Sequence, residues 1–236
     1  MSETSNQLEA RDTKLNKLKE LGVNPYPYRF EKELTVQSAI ENQEEYILDD
    51  VQIRLAGRLM AFRRQGKTTF CNLKEDTYRL QLYVSQKVIG ADEYEKFKCL
   101  DLGDIVGVEG VLFKTKMGEL SLNVKNFEIL SKSIRPLPVP KEKIEDGKKI
   151  IFDQFTNKEQ RYRQRYVDLI LNDDVLEVFK KKSKIIKATR DYLERNGYLE
   201  VETPVLQKIY GGASAKPFET HHNALNLKLF LRISNE

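Results

Sequence analysis

The stretch VQIRLAGRLM, residues 51–60, carries an apolar or small side chain at every second position. The alternating set is Val51, Ile53, Leu55, Gly57 and Leu59. Because successive side chains of a strand point to opposite faces, this alternation predicts a strand with one buried face. Upstream, residues 8–21 place leucines three to seven positions apart among charges, which predicts an amphipathic helix ending near Gly22. Residues 31–50 are polar and predict no clear element.

Four further strands are predicted downstream, and a short helix is predicted within residues 91–100. The strands lie within 69–73, 79–84, 104–113 and 119–129. Five strands with a helix between the third and the fourth is the element order of an OB-fold barrel. The turn Lys116–Met117–Gly118 fits a hairpin that joins the last two strands.

The chain divides into four predicted segments. Residues 1–50 form an N-terminal helical extension, and residues 51–133 form the barrel. Three prolines in Ile134–Pro140 interrupt both helix and ladder, so residues 134–156 are predicted to be a proline-rich and charged linker. Residues 157–236 begin a second domain.

The second domain opens with two predicted helices, 157–171 and 175–195. Asn196 and Gly197 end the second helix, and a strand is predicted to run up to Pro204. A Gly211–Gly212 turn precedes another alternating run, Leu227–Ile233. A globular domain seldom ends on such an apolar strand, so we expect the sequence to be the front part of a longer protein.

Composition indicates a soluble globular protein, with 40% hydrophobic and 32% charged residues among 236. No apolar run approaches the roughly 20 residues of a membrane span, and the N-terminus lacks an apolar signal region. Cys71 and Cys99 form no disulfide framework and have no metal-ligand spacing, which is typical of a reducing compartment. We therefore expect a cytoplasmic protein. Its net charge of +4 permits a nucleic-acid partner without requiring one.

One face of the predicted barrel combines rings, amides and charges. The outward set is Phe70, Asn72, Arg79, Gln81, Tyr83, Glu119, Ser121 and Asn123. OB folds use such a face to stack single-stranded bases and to read their edges. A basic run would supply phosphate contacts beside it: Arg58, Arg63, Arg64 and Lys67. The competing interpretation is an ordinary solvated sheet face.

Seven stretches of the chain resemble bacterial-type lysyl-tRNA synthetases, which are class II aminoacyl-tRNA synthetases. In the barrel they are AGRLMAFRRQGKTTF, RLQLYV, DLGDIVGVEGVLFKTKMGELSL and IRPLP. In the second domain they are RYRQRYVDLI, YLEVETPVL and GGASAKPFETHHNALNLKLFLRI. The resemblance implies an anticodon-binding OB barrel followed by the start of an α+β catalytic domain, an antiparallel sheet with helices. Class II motif 1 would lie near residues 175–206.

The resemblance also implies a reaction. Lysine and ATP would form lysyl-adenylate, and the lysyl group would pass to tRNA(Lys), in a homodimer that uses Mg²⁺. The catalytic residues and metal ligands of this family match no residue up to Glu236, so this chain is predicted to bind tRNA but not to catalyse.

Individual roles follow from the match with the family. Phe70 would stack on the central anticodon base, while Gln81 and Glu119 would read its edge. Gly212 would lie against the substrate lysine, and Glu236 would hold its α-ammonium. Pro204 would lie in the dimer interface. Arg58 and Arg63, from the basic run, complete the predicted anticodon-binding set.

One turn departs from the family pattern, and one pair of histidines raises the question of a metal site. Asp76–Thr77–Tyr78 stands where the family commonly has glycines, which leaves the geometry of that turn open. His221 and His222 are adjacent on an extended segment, so they point to opposite sides and cannot chelate one metal together. We expect them to make packing or hydrogen-bond contacts.

Three alternatives to a lysine-specific enzyme remain at this stage. One is an aspartyl or asparaginyl synthetase, which would need a different block around residues 211–233. Another is a non-catalytic tRNA-binding module. The third is a synthetase-like paralogue that modifies a translation factor, a family that lacks the OB domain.

Overall fold

The computed structural model describes residues 3–139, 141–145, 148–152 and 155–235. These divide into two compact units, residues 1–176 and residues 177–236. The first unit opens with helix α1, Glu3–Glu20, which ends just before Gly22 at φ +73°. Two short helices, α2 (Val36–Glu41) and α3 (Gln43–Leu48), occupy the polar stretch for which the sequence predicted no element.

Five strands close into a barrel, as the alternating pattern predicted. They are β1 (Gln52–Gln65), β2 (Thr68–Glu75), β3 (Tyr78–Ser85), β4 (Ile105–Lys114) and β5 (Leu120–Ser131). The order around the barrel is β1-β2-β3-β5-β4, with β3 and β5 parallel and all other pairs antiparallel. Between β3 and β4 lie α4 (Gln86–Ile89) and the predicted helix, α5 (Ala91–Lys98). The OB-fold prediction is confirmed.

The barrel core is filled by the apolar side chains of the alternating positions. Leu59, Leu73 and Leu122 are completely buried there. Helices outside the barrel share the same core through Leu18 and Val36, so the N-terminal extension packs on the barrel. Cys71 and Cys99 are free and buried.

Close approach of β4 and β5 depends on a missing side chain. The ladder is irregular between Glu109 and Gly110, and a Cβ on Gly110 would lie 2.1 Å from the carbonyl oxygen of Asn123. Real Cβ atoms do not approach an oxygen so closely, so glycine is required for these two strands to pair here.

The turn between β2 and β3 forms without glycine. Its two residues are Asp76 and Thr77, and Asp76 adopts φ +55°. Aspartate tolerates the left-handed region better than most residues, so the departure from the family's glycines leaves the hairpin intact.

The predicted linker contains regular structure. Strands β6 (Lys141–Glu145) and β7 (Lys148–Phe152) pair antiparallel, with Lys141 opposite Phe152. The prediction of a charged linker over residues 134–156 did not foresee these two strands. Two short strands separated by two residues can hydrogen-bond to each other, and a proline-rich, charged composition does not reveal this pairing.

The predicted helix 157–171 is two helices, α6 (Lys158–Arg163) and α7 (Arg165–Leu171), separated by Gln164 at φ −119° and ψ 56°. A buried carboxylate joins them. Asp168 accepts from Arg161 Nε at 2.8 Å, from Asn172 Nδ2 at 2.7 Å, and from Arg165. Burial raises the pKa of Asp168, but these hydrogen bonds and arginine charges outweigh it and hold the pKa below its ordinary value.

Helix α8, Asp173–Arg195, continues into the second unit and ends before Gly197 at φ +84°. That unit also holds a sheet ordered β8-β10-β9, from Leu206–Gln207, Leu227–Leu231 and Glu219–His222, with a 3₁₀ turn at Asn223–Leu225. The strand predicted to run up to Pro204 does not form. A strand requires a neighbouring strand for its backbone bonds, and within the described residues none forms a β-ladder with residues 198–204.

Candidate nucleic-acid interface

An aromatic row crosses the outer face of the barrel. Phe70 on β2 stands opposite Tyr83 on β3, with ring centroids 5.2 Å apart. Tyr83 in turn meets Phe113 on β4 edge-on at 5.8 Å. Sequence parity identified the first two rings and missed Phe113, although the same rule places it opposite the buried neighbour Leu112. The row offers a stacking surface beside polar groups.

An ordered amide lies next to this row. Gln81 on β3 stands between Asn72 on β2 and Ser121 on β5, so three strands bring these side chains together. Ser121 Oγ donates a hydrogen bond to Gln81 Oε1 at 2.8 Å. Gln81 is 8% exposed and Ser121 is fully buried, so the amide is held in place and presents only its outer edge.

A recess of about 260 Å³ opens beside Gln81. Its lining comprises Ile40, Gln43, Asn72, Arg79, Leu80, Gln81, Glu119 and Leu120. The recess therefore joins two predicted edge readers, Gln81 and Glu119, with a wall from the α2–α3 region. Nothing in the sequence pattern of residues 31–50 identified that wall. Phe70 does not line the recess but lies on the same face, two residues along β2 from Asn72.

Glu119 sits at the base of the β4–β5 hairpin, immediately before β5. Its backbone N–H donates to Thr115 Oγ1 at 3.1 Å, and Thr115 N–H donates to its carbonyl oxygen at 2.9 Å. The predicted turn comes immediately before Glu119, with Gly118 at φ +82°. These bonds fix the backbone of Glu119 while its side chain stays exposed.

The residues of the basic run differ in whether their side chains already hydrogen-bond within the protein. Arg63 stands opposite Phe70 and is exposed, as is Lys67. Arg64 donates to two carbonyl oxygens at the C-terminal end of α5, those of Lys98 and Leu100. The structure thus brings Arg63, but not Arg64, to the aromatic row.

Arg58 lies away from the row. It pairs with Lys74, four residues along β2 from Phe70, and its guanidinium donates to the carbonyl oxygen of Gly103 at 2.7 Å. Burial lowers the pKa of Arg58, and the nearby charge of Asp104 partly offsets this effect. The structure does not bring Arg58 together with the other predicted anticodon-binding residues.

Lys74 and Arg79 share one partner at the start of α8. Both form ion pairs with the Asp173 carboxylate, the Arg79 contact being 3.1 Å. Lys74, almost fully buried, also donates to the carbonyl oxygen of Ile170 at 2.6 Å. These contacts hold the end of α7 against the barrel.

The predicted substrate and dimer residues lie in the second unit. Gly212 adopts φ +79° in the segment between β8 and β9, a conformation that glycine accepts without strain. Pro204 follows Thr203, whose carbonyl oxygen accepts from Arg232 Nη1 at 2.8 Å. Glu236 lies outside the described residues.

The two histidines make local hydrogen bonds. His221 Nε2 is 3.1 Å from Asn226 Oδ1, and His222 Nδ1 accepts from Leu225 N–H at 3.3 Å. Both contacts organise the tight turn between β9 and β10. They are consistent with the hydrogen-bonding role expected from the sequence.

Within the described ranges, no three or more His, Cys, Asp or Glu residues cluster as a metal site would require. Nor does any helix in the part of the chain that the structure describes combine the length and apolar character of a membrane span.

Comparison with known proteins finds one family match for the barrel and another for residues 157–236. Residues 53–130 match the OB-fold nucleic acid binding domain family, and residues 157–236 match the class II (D, K and N) tRNA synthetases. The lysine–tRNA ligase of Magnetococcus marinus is 45% identical over 99% of this chain and 46% of its own length. Those of Carboxydothermus hydrogenoformans and Pelotomaculum thermopropionicum are 44% and 46% identical, over 99% and 97% of this chain and 45% and 43% of their own lengths. The chain thus spans less than half of each relative, and the predicted resemblance is confirmed.

Proposed function

We propose that this chain is the anticodon-binding portion of a lysine–tRNA ligase, because residues 157–236 match the class II tRNA synthetases and residues 53–130 match the OB-fold nucleic acid binding domains. The whole enzyme would activate lysine with ATP and transfer it to tRNA(Lys). Identity near 45% to lysine–tRNA ligases along almost the entire chain supports lysine over aspartate or asparagine.

The observation that carries the binding role is the recess beside the aromatic row. At about 260 Å³ it is smaller than the roughly 300–1,000 Å³ of pockets that enclose drug-sized ligands, which suits one base of a longer strand. Phe70 would stack on the central anticodon base, and each such stack contributes about 1–3 kcal/mol. Gln81 and Glu119 would hydrogen-bond to the edge of that base.

Arg63 is the basic residue best placed for the RNA backbone. It is exposed and stands opposite Phe70, so a strand stacked on the ring would bring a phosphate near its guanidinium. Arg58 would be a more distant member of the predicted set, because it pairs with Lys74, four residues along β2 from Phe70, and one of its guanidinium N–H groups donates to the Gly103 carbonyl.

The proposal extends to the catalytic half. Gly212 would allow the backbone to approach the substrate lysine, Glu236 would hold the lysine α-ammonium, and Pro204 would lie in a homodimer interface. Enzymes of this family use ATP and a divalent metal, and Mg²⁺ would stabilise charge on the ATP phosphates in the whole cytoplasmic enzyme. We assign no residue of this chain to either.

Anticodon binding is tested by measuring Kd for stem-loops carrying UUU, the lysine anticodon, and GUC, an aspartate anticodon. We expect the chain to prefer UUU, and Phe70→Ala to weaken binding by roughly 5- to 150-fold, the equivalent of one stack. Tyr28→Ala, which removes a fully exposed ring elsewhere on the first unit, is the matched control and should change nothing. Equal affinity for both loops, or no effect of Phe70→Ala, would refute the proposal.

The alternative, a tRNA-binding module without catalytic activity, predicts the same anticodon binding for this chain. The two hypotheses differ only in whether the complete protein is catalytic. The isolated 236-residue chain is expected to show no lysine-dependent ATP–pyrophosphate exchange, because it spans less than half of its catalytic relatives. Exchange activity in the purified chain would contradict that expectation.

A further inference from the structure

We propose that Ser121 is a positioning residue that orients the Gln81 amide and thereby makes the recess select uracil over cytosine. This inference rests on the proposed anticodon-binding function. It assigns the choice between the two pyrimidines to a buried hydroxyl that would itself never touch the RNA.

The hydroxyl proton of Ser121 has two possible acceptors. Gln81 Oε1 lies 2.8 Å from Oγ, whereas the carbonyl oxygen of Glu119 lies 3.4 Å away. A hydroxyl carries one proton, and O–H···O bonds favour about 2.5–3.0 Å, so the proton goes to Gln81. Gln81 Oε1 is thereby used as an acceptor, and the amide NH₂ group is the part left for the recess.

Burial makes this arrangement difficult to replace. Ser121 is fully buried and stands directly beside Gln81 across the parallel β3–β5 pair that closes the barrel. Water therefore has no access from which to substitute for the hydroxyl. Without it, the two amide orientations would differ much less in energy, since nothing else described in the structure donates to Oε1.

The resulting recess offers a donor and an acceptor in a defined order. The Gln81 amide presents N–H donors, and the exposed Glu119 carboxylate is an acceptor. Uracil presents the complementary pair, the O4 acceptor beside the N3–H donor. Cytosine presents the reverse, the N4 amino donor beside the N3 acceptor, so both contacts would be lost.

The experiment compares Kd for stem-loops with UUU and UCU anticodons, which differ only in the central base. The unmodified chain should prefer UUU by about 10- to 100-fold, as one or two mispaired polar contacts would cause. Ser121→Ala should reduce that preference to within about 3-fold, mainly by improving UCU binding, and Ser121→Thr should restore it because the hydroxyl is kept. Thermal melting establishes that each variant is folded.

Gln81→Glu provides a second test that leaves Ser121 intact. A carboxylate offers acceptors only, so this variant should move the preference towards the cytosine-containing loop. Full UUU preference in folded Ser121→Ala, or unchanged preference in Gln81→Glu, would overturn the inference while leaving anticodon binding intact. Failure of the unmodified chain to bind UUU would instead refute the proposed function.

Discussion

The barrel and residues 177–236 have equally clear apolar patterns but opposite burial. Barrel leucines such as Leu82 are completely buried, because the five strands close on one another. On α8, apolar side chains at helical spacing stay exposed, with Val178 63%, Ile185 66% and Tyr192 62% accessible. A pattern therefore shows which side of an element is apolar, whereas burial depends on whether partners for that side exist.

The two regions should differ most in how much stability is lost when an apolar side chain is truncated. Leu82→Ala should lower the free energy of unfolding by about 2–5 kcal/mol, since it leaves a cavity in a closed core. Ile185→Ala on α8 should change it by less than about 0.5 kcal/mol. Urea titration followed by circular dichroism measures both. Similar losses in the two variants would show that the α8 face is packed in solution.

Replacement of glycine by alanine compares how closely the backbone is packed in the two regions. Gly110→Ala would place a Cβ 2.1 Å from a carbonyl oxygen of β5, so we expect a loss of about 1–3 kcal/mol as the strands move apart. Gly211→Ala, in the second region, has no atom within 4 Å of its added Cβ and serves as control. Urea midpoints report both, and a Gly110→Ala midpoint equal to that of the unmodified chain would contradict the close approach.

Charge burial should also distinguish residues 177–236 from helix α7 of the first unit in their pH dependence. The lowered pKa of Asp168 means that its stabilisation is present above the ordinary value of 3.8 and is lost as pH falls below it. Asp168→Asn should therefore cost about 1.5–3 kcal/mol at pH 7, with the difference from the unmodified chain shrinking in acid.

Asp191→Asn is the control for this pH series. Asp191 pairs with Lys187 on exposed α8, so its removal should have little effect at any pH. Stability is compared by urea unfolding from pH 7 down to pH 3. A pH-independent deficit in Asp168→Asn would indicate a packing defect rather than a lost charge contact.

The smallest expected effect tests whether RNA binding belongs to the barrel region and its N-terminal wall. Gln43→Ala removes one polar group from the recess and should weaken UUU stem-loop binding about 2- to 10-fold, the value of one hydrogen bond. Gln37→Ala changes an exposed glutamine of the neighbouring helix α2 and should leave Kd unchanged. If the two variants behave alike, the α2–α3 wall takes no part in recognition.

The local sequence pattern was sufficient to predict the elements whose structure depends on neighbours along the chain. Period-two alternation predicted all five barrel strands and placed Phe70 and Gln81 on the outer face. It failed where the outcome depends on a distant partner. Residues 198–204 look like a strand but form no β-ladder with any described residue. The break at Gln164 is a different case, because Arg161, Arg165 and Asp168 lie close along the chain, and the helical period alone did not predict it.

The sequence by itself determined the barrel, its apolar interior and the residue types available to bind a base, because side-chain alternation is a property of each strand alone. Only the tertiary structure decided how those groups are presented. The pairing of β3 with β5 brings Ser121 to Gln81, α2 and α3 supply Ile40 and Gln43, and Arg58 is drawn to Gly103. Each of these contacts joins residues far apart in sequence, and their geometry is fixed only when the barrel closes.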